Sequence, residues 1–200
     1  ISSTEGKELP TLGVDELTGA VEQYPAFMNA LKKICSVPIA FEDIESGAKG
    51  YYHQLEQRIA IKSGMSEMQT LKTLIHEMSH QRLHAIDPTA KVSDVQKKSR
   101  ESKEVEAESV AYTVCQHFGI DTSDYSFAYL AGWSQGKELK ELKESLQVIR
   151  DTANDFITEI NEQMKSKEME KDVKADVPVE VAKAEQKAKA IVADKRPSVL

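Results

Sequence analysis

The stretch Ser66–Ala85, SEMQTLKTLIHEMSHQRLHA, decides how this chain is read. Leu71, Leu74, Ile75 and Met78 recur three and four positions apart, the spacing of one buried helix stripe. Ser66 followed by Gln69 has the capping-box pattern and predicts a helix start, and Asp87-Pro88 predicts its end near Ala85. On that helix His76 and His80 stand one turn apart, on one face, at the edge of the apolar stripe. This H-E-x-x-H spacing lets two neutral imidazoles bind one Zn²⁺, with Glu77 beside the metal's open position as a general base.

Two histidines leave a catalytic zinc one protein ligand short. The next helix is predicted over Ser102–Phe118, stopped by Gly119, and it carries Glu101, Glu104, Glu106 and Glu108. Glu104, Ala107, Glu108, Ala111 and Cys115 fall on one face, where the small residues allow close packing against the histidine helix. Glu106 points about 200° away from Glu104 at roughly 100° per residue, a poor direction for a ligand. Glu104 is the expected third ligand, and Glu108, one turn further on, is expected to hydrogen-bond a ligating imidazole. The swapped assignment of these two is the alternative. With one Zn²⁺ per chain, water is acidified, a carbonyl is polarised, and Glu77 carries the proton to the leaving amine. His84, Tyr112, Tyr125 and Tyr129 are the polar groups available to touch substrate or steady a developing oxyanion.

Outward from these helices, residues 1–13 read as a linker or leader, 14–163 as the metallopeptidase-like domain, and 164–200 as a charged low-complexity tail or linker. Apolar positions from Leu17 to Ile34 keep a helical period, with Pro25 expected to separate a short helix from a longer one. Val37–Phe41 fits a strand, and Tyr51–His53 and Arg58–Lys62 read as two β segments joined by a polar turn. An open strand edge beside the histidine helix could pair with an extended peptide. His53 reads as an exposed strand residue. Residues 87–103 form a polar connection, a short aromatic helix surrounds Tyr125–Trp133, and residues 137–163 form a long amphipathic helix. The expected fold is α+β, mostly helical and zincin-like, with a small antiparallel sheet beside the zinc helix.

Composition narrows the function classes. The 200 residues carry a net charge of −7, so the chain alone offers no general affinity for nucleic acid. No apolar run is long enough to span a membrane and no signal peptide is evident, which points to a cytoplasmic protein. Cys35 and Cys115 lie far apart, outside any CxxC pair, and read as small hydrophobes in a reducing compartment. The chain lacks an initiating Met, as a piece of a longer multidomain protein would.

The stretch from Ser66 through Leu74-Ile75-His76-Glu77-x-x-His80 to Leu83-His84 resembles the zinc-peptidase domain of ArdC-type antirestriction proteins and LtrC-like proteins of plasmids and conjugative elements. Glu104-x-x-Ala107-Glu108, Cys115, Gly119-Ile120 and Ala128-Tyr129-Leu130-x-x-Trp133 are similar to later motifs of that family, and the likeness covers about residues 37–160. More distantly the chain looks like the ImmA/IrrE peptidases, which act on repressors in mobile elements and stress responses. The resemblance implies Glu104 as the third ligand and a mobile-element peptidase cleaving one or a few protein targets. The alternative, which the acidic charge and acidic tail favour and the intact Glu77 opposes, is a non-proteolytic, zinc-stabilised antirestriction or protein-interaction module. ArdC-type proteins carry a separate N-terminal domain that binds single-stranded DNA, and residues 1–36 are too short and too acidic to be that domain.

Overall fold

The computed structural model describes residues 17–86, 98–123 and 139–175, with side chains of the last segment described over 140–166. The chain divides into two compact units, Ile1–Asn161 and Glu162–Leu200. Within the described residues four helices and three strands occur in the order α1 (Tyr24–Ile34), β1 (Ile39–Glu42), β2 (Gly50–His53), β3 (Arg58–Lys62), α2 (Glu67–His84), α3 (Arg100–His117) and α4 (Leu139–Ala175).

Helix α1 begins at Tyr24 and carries Pro25 in its first turn, rather than being divided by it. Proline is tolerated in a first turn because its missing N–H needs no partner there. Gln23 precedes the helix in the left-handed region at φ 59°. Leu17–Gln23 is not helical. The backbone N–H groups of Leu17 and Val21 instead donate to the Gln69 and Glu67 side chains at the start of α2, at 3.2 and 2.8 Å. Apolar spacing alone predicted a helix here, and those two hydrogen bonds outcompete it.

The sheet has the order β1-β3-β2. Strands β2 and β3 form the expected antiparallel pair, with Tyr51 opposite Ala60. Strand β1, expected in an antiparallel sheet, runs parallel to β3 with Ile39 opposite Ile59, so the sheet is mixed. The physical reason is connectivity. β1 leads first to the far edge at β2, and the short turn back gives β3 the direction of β1. Central β3 buries Ile59, Ala60 and Ile61 completely.

Helix α2 packs against both β2 and β3 and, most extensively, against α3. Its predicted stripe of Leu71, Leu74, Ile75 and Met78 is buried. Ser66 caps it by accepting from the Gln69 N–H at 3.1 Å, one half of the capping box. The Gln69 side chain does not reach back to Ser66. Its amide donates to Thr73 Oγ1 at 3.0 Å, and its oxygen accepts from Lys49 and Leu17. Gly50 lets β2 approach this helix. A Cβ there would lie 2.8 Å from Thr73 Cγ2 and 3.0 Å from the Ala60 carbonyl oxygen. Gly50→Ala is expected to lower stability by roughly 1–3 kcal/mol through overpacking, measured by urea unfolding. A neutral result would show that the strand and helix separate at little cost.

Helix α3 is capped by Ser99, which accepts from the Ser102 N–H at 3.1 Å, so it starts a little earlier than Ser102. It ends at His117, with Phe118 as its cap, and Gly119 follows at a φ of +73° that suits glycine. Ala107, Ala111 and Cys115 are fully buried on the face predicted for close helix contact. Burial pushes the Cys115 thiol up to about 12, and both cysteines are free thiols.

Helix α4 docks through Ser145, Ile149, Ala153, Phe156 and Ile160. Leu146, whose apolar side chain would suit the inner face of an amphipathic helix, is 58% exposed, and its neighbour Ser145 is the buried one. The Arg82 guanidinium stacks 3.9 Å from the Phe156 ring centroid and pairs with Glu159. The helix continues to Ala175, into residues expected to be a solvated tail. Lys, Glu, Met and Ala are strong helix formers, and that propensity accounts for the extension. Residues 87–97, Tyr125–Trp133 and 176–200 lie outside the described residues, and so does the aromatic helix expected around Tyr129.

Candidate metal centre

Helix α2 presents His76 and His80 on successive turns, and α3 brings Glu104 across to them. The two imidazole Nε2 atoms are 3.1 Å apart. Glu104 Oε2 lies 3.5 Å from each. A tetrahedral ion with bonds of about 2.0–2.1 Å holds its ligand atoms about 3.3–3.4 Å apart. The triangle fits one such ion, and among the described residues this is the group able to hold a metal. Glu106 and His53 do not join it. His53 instead accepts from the Glu56 N–H at 3.1 Å.

The histidine and carboxylate donors form one side of a cleft of about 700 Å³ that Glu77, His84, Glu108, Tyr52, Arg100 and Lys103 also line. Glu77 is 7% exposed. Burial raises its carboxyl pKa against the pull of His76 and His80, and the Tyr52 backbone N–H donates to it. That N–H is available because of the strand register. With Lys62 N–H bonded to Lys49 O and Tyr51 opposite Ala60, the backbone groups of Gly50 and Tyr52 turn away from β3. The Tyr52 hydroxyl is buried without a hydrogen-bond partner among the described residues.

Behind the imidazoles stand two buried carboxylates. Glu108 Oε2 lies 3.0 Å from His76 Nδ1, although the ring N–H does not point along that line. The same oxygen is 2.5 Å from the Lys72 ammonium, an ion pair almost wholly buried. Glu108 thus stands beside His76 and outside the triangle, without the aligned hydrogen bond to the imidazole that was expected of it. Burial works against ionising Glu108, but His76 and Lys72 prevail and hold it at about 2.

The second carboxylate was missed by sequence reasoning. Glu106 is completely buried and accepts from Lys98, from Ser145 Oγ at 2.7 Å, and faces His84 Nε2 at 3.0 Å. His84 was one of the polar groups available to touch substrate. Although it borders the cleft, both its ring nitrogens are engaged, Nε2 by Glu106 and Nδ1 by His80 Nδ1 at 3.0 Å. Tyr112, also expected at the site, is half-buried on α3 and does not line the cleft. Tyr125 and Tyr129 lie outside the described residues.

Without a metal ion, burial disfavours a charged His76, but Glu104 and Glu108 outweigh it and hold the imidazole at about 9. Its two neighbours in turn hold the Glu104 carboxyl well below the usual carboxylate range. A binding cation must therefore displace the His76 proton. Apparent metal affinity is expected to rise about tenfold from about pH 7 to about pH 8, with about one proton released. Calorimetry in buffers of different ionisation enthalpy measures that proton, and a flat profile would contradict the assigned charge state.

Residues 35–158 match the family model of the IrrE N-terminal-like domain, Peptidase_M78. The chain belongs to this family. An uncharacterized Bacillus anthracis protein, pXO2-81, is 32% identical over 116 residues, which are 58% of this chain and 19% of that protein. The chain thus spans about a fifth of that relative's length. Two crystal structures of the antirestriction protein ArdC from the R388 plasmid are also similar, each over 76% of this chain and 54% of ArdC. The metal-free structure is 23% identical with a TM-score of 0.45, and the Mn(II)-bound structure is 20% identical with a TM-score of 0.40. The M78 match includes the whole of α2 and α3 and hence every residue of the cluster.

Proposed function

We propose that this M78 domain is a zinc-dependent peptidase acting on a specific protein target, in keeping with its resemblance to mobile-element peptidases. The observation that carries the reading is the convergence of His76, His80 and Glu104 on one triangle, at a cleft that also receives Glu77. Those three side chains would hold the ion, and an ion there supplies the Lewis acidity that activates water and polarises a peptide carbonyl. Glu77 accepts the proton of the attacking water and returns it to the leaving amine, a role suited to a buried carboxylate of raised pKa. The Tyr52 N–H fixes one side of that carboxylate. The outward-turned backbone of β2 offers an extended substrate a strand to pair with, next to Glu77.

The test is metal analysis of the purified protein alongside Glu104→Ala, together with cleavage of a peptide library. About one zinc per chain, lost in the variant together with cleavage, supports the reading. Full metal occupancy in Glu104→Ala would remove Glu104 from the ligand set, and an absence of zinc in the wild-type protein would overturn the zinc assignment.

A further inference from the structure

Buried Glu106 and His84 lead to the half-buried His80, a chain of contacts that the metal triangle alone does not account for. Glu106 comes from α3, twenty-two positions after His84, and shares no face with the metal-ligand candidate Glu104. Four donor contacts converge on its two oxygens: two from the Lys98 ammonium, one from the Ser145 hydroxyl and one from His84 Nε2. An oxygen pair so surrounded acts as an ionised acceptor and has no proton to give.

That fixes the hydrogens in turn. Because Glu106 accepts, His84 Nε2 carries the hydrogen. A neutral His84 then has its lone pair on Nδ1, which faces His80 Nδ1 at 3.0 Å. The His80 hydrogen must sit on Nδ1 to satisfy that contact, which leaves its Nε2 as a lone pair. Nε2 is the atom that meets His76 and Glu104 in the triangle.

We propose that Glu106, acting through His84, is a positioning residue that holds His80 in the Nδ1–H tautomer with its Nε2 lone pair directed at the metal centre. The proposal deepens the zinc reading and rests on it for its purpose. The tautomer itself, however, is a property of the metal-free protein. His76 and His80 thereby face different carboxylates, His76 with Glu108 3.0 Å from its Nδ1 and His80 reaching Glu106 through an intervening imidazole. Lys98 and Ser145 tie the second route to the start of α3 and to α4.

The experiment is ¹⁵N NMR of histidine-labelled, chelator-treated protein, with His80 assigned by its loss in a His80→Gln sample. The wild-type protein is expected to show His80 protonated at Nδ1 and unprotonated at Nε2. Glu106→Gln and His84→Phe are expected to give a mixture of tautomers. Titration with Zn²⁺ alone is expected to show affinity weakened about ten- to a hundredfold in both variants. His84→Phe leaves Glu106 its Lys98 and Ser145 partners, so it serves where Glu106→Gln fails to fold. His80 protonated at Nε2 in the wild type, or an unchanged tautomer in His84→Phe, overturns the proposal. A wild-type protein with the expected tautomer that binds no Zn²⁺ would support the positioning chain while defeating the zinc reading.

Discussion

Glu77→Gln is expected to lower peptide hydrolysis by about 10²–10⁴-fold while leaving the metal content unchanged. The substitution keeps the size of the side chain and its ability to accept from the Tyr52 N–H, but removes the basic oxygen. Glu77 is outside the ligand triangle, so the metal has no reason to leave. Burial raises the pKa of Glu77, which brings it nearer to the range in which a carboxylate both takes and returns a proton. The measurement pairs single-turnover cleavage of a peptide identified by library screening with metal analysis of the same sample. Retained cleavage would remove Glu77 from the base role. A biological effect that survives in the variant with metal in place would favour the alternative, a metal-stabilised interaction module without proteolysis.

The sequence revealed most of the site but less of its support. His76, Glu77 and His80 were legible because a five-residue motif on an amphipathic helix specifies its own geometry. Glu104 was legible because α3 places small residues three and four positions from it, which identifies the face that meets α2. Glu106 lies outside the triangle, on the side its helical angle gave it, yet its part in the packing stayed hidden. Helical spacing tells which residues share a face, and it is silent about which element covers the other faces. Here α4 and His84 cover them, and a charged residue on a helix with few large apolar positions becomes a fully buried hub. The same limit explains Leu146, whose apolar side chain faces out because Glu106 takes the Ser145 hydroxyl beside it. The parallel pairing of β1 was hidden for a related reason. Strand character follows from local alternation, whereas the choice of neighbour depends on where the chain returns.

The pair beneath His76 yields the largest expected effect on stability. Lys72 and Glu108 are 4% and 1% exposed in their side chains and 2.5 Å apart. Burial disfavours the charged form of both, lowering the Lys72 pKa while Glu108 opposes the fall. Glu108→Ala takes that carboxylate away from an ammonium that is almost wholly buried. The expected cost is about 3–5 kcal/mol, the usual consequence of breaking a buried ion pair on one side. Lys72→Met with Glu108→Leu removes both charges and is expected to recover most of that loss, since apolar side chains of similar size often serve equally well. Urea unfolding in the presence of a chelator, analysed as a double-mutant cycle, separates this coupling from any contribution of bound metal. A Glu108→Ala cost below about 1 kcal/mol would mean that water reaches the pair. The pH dependence has a definite sign. Glu106 and Glu108 are both held at about 2, below their unfolded value of about 4.3. The stability they contribute is therefore complete above about pH 4.5 and drains away as the pH falls toward 2. In Glu108→Ala that acid-side loss should shrink, leaving the share that Glu106 carries.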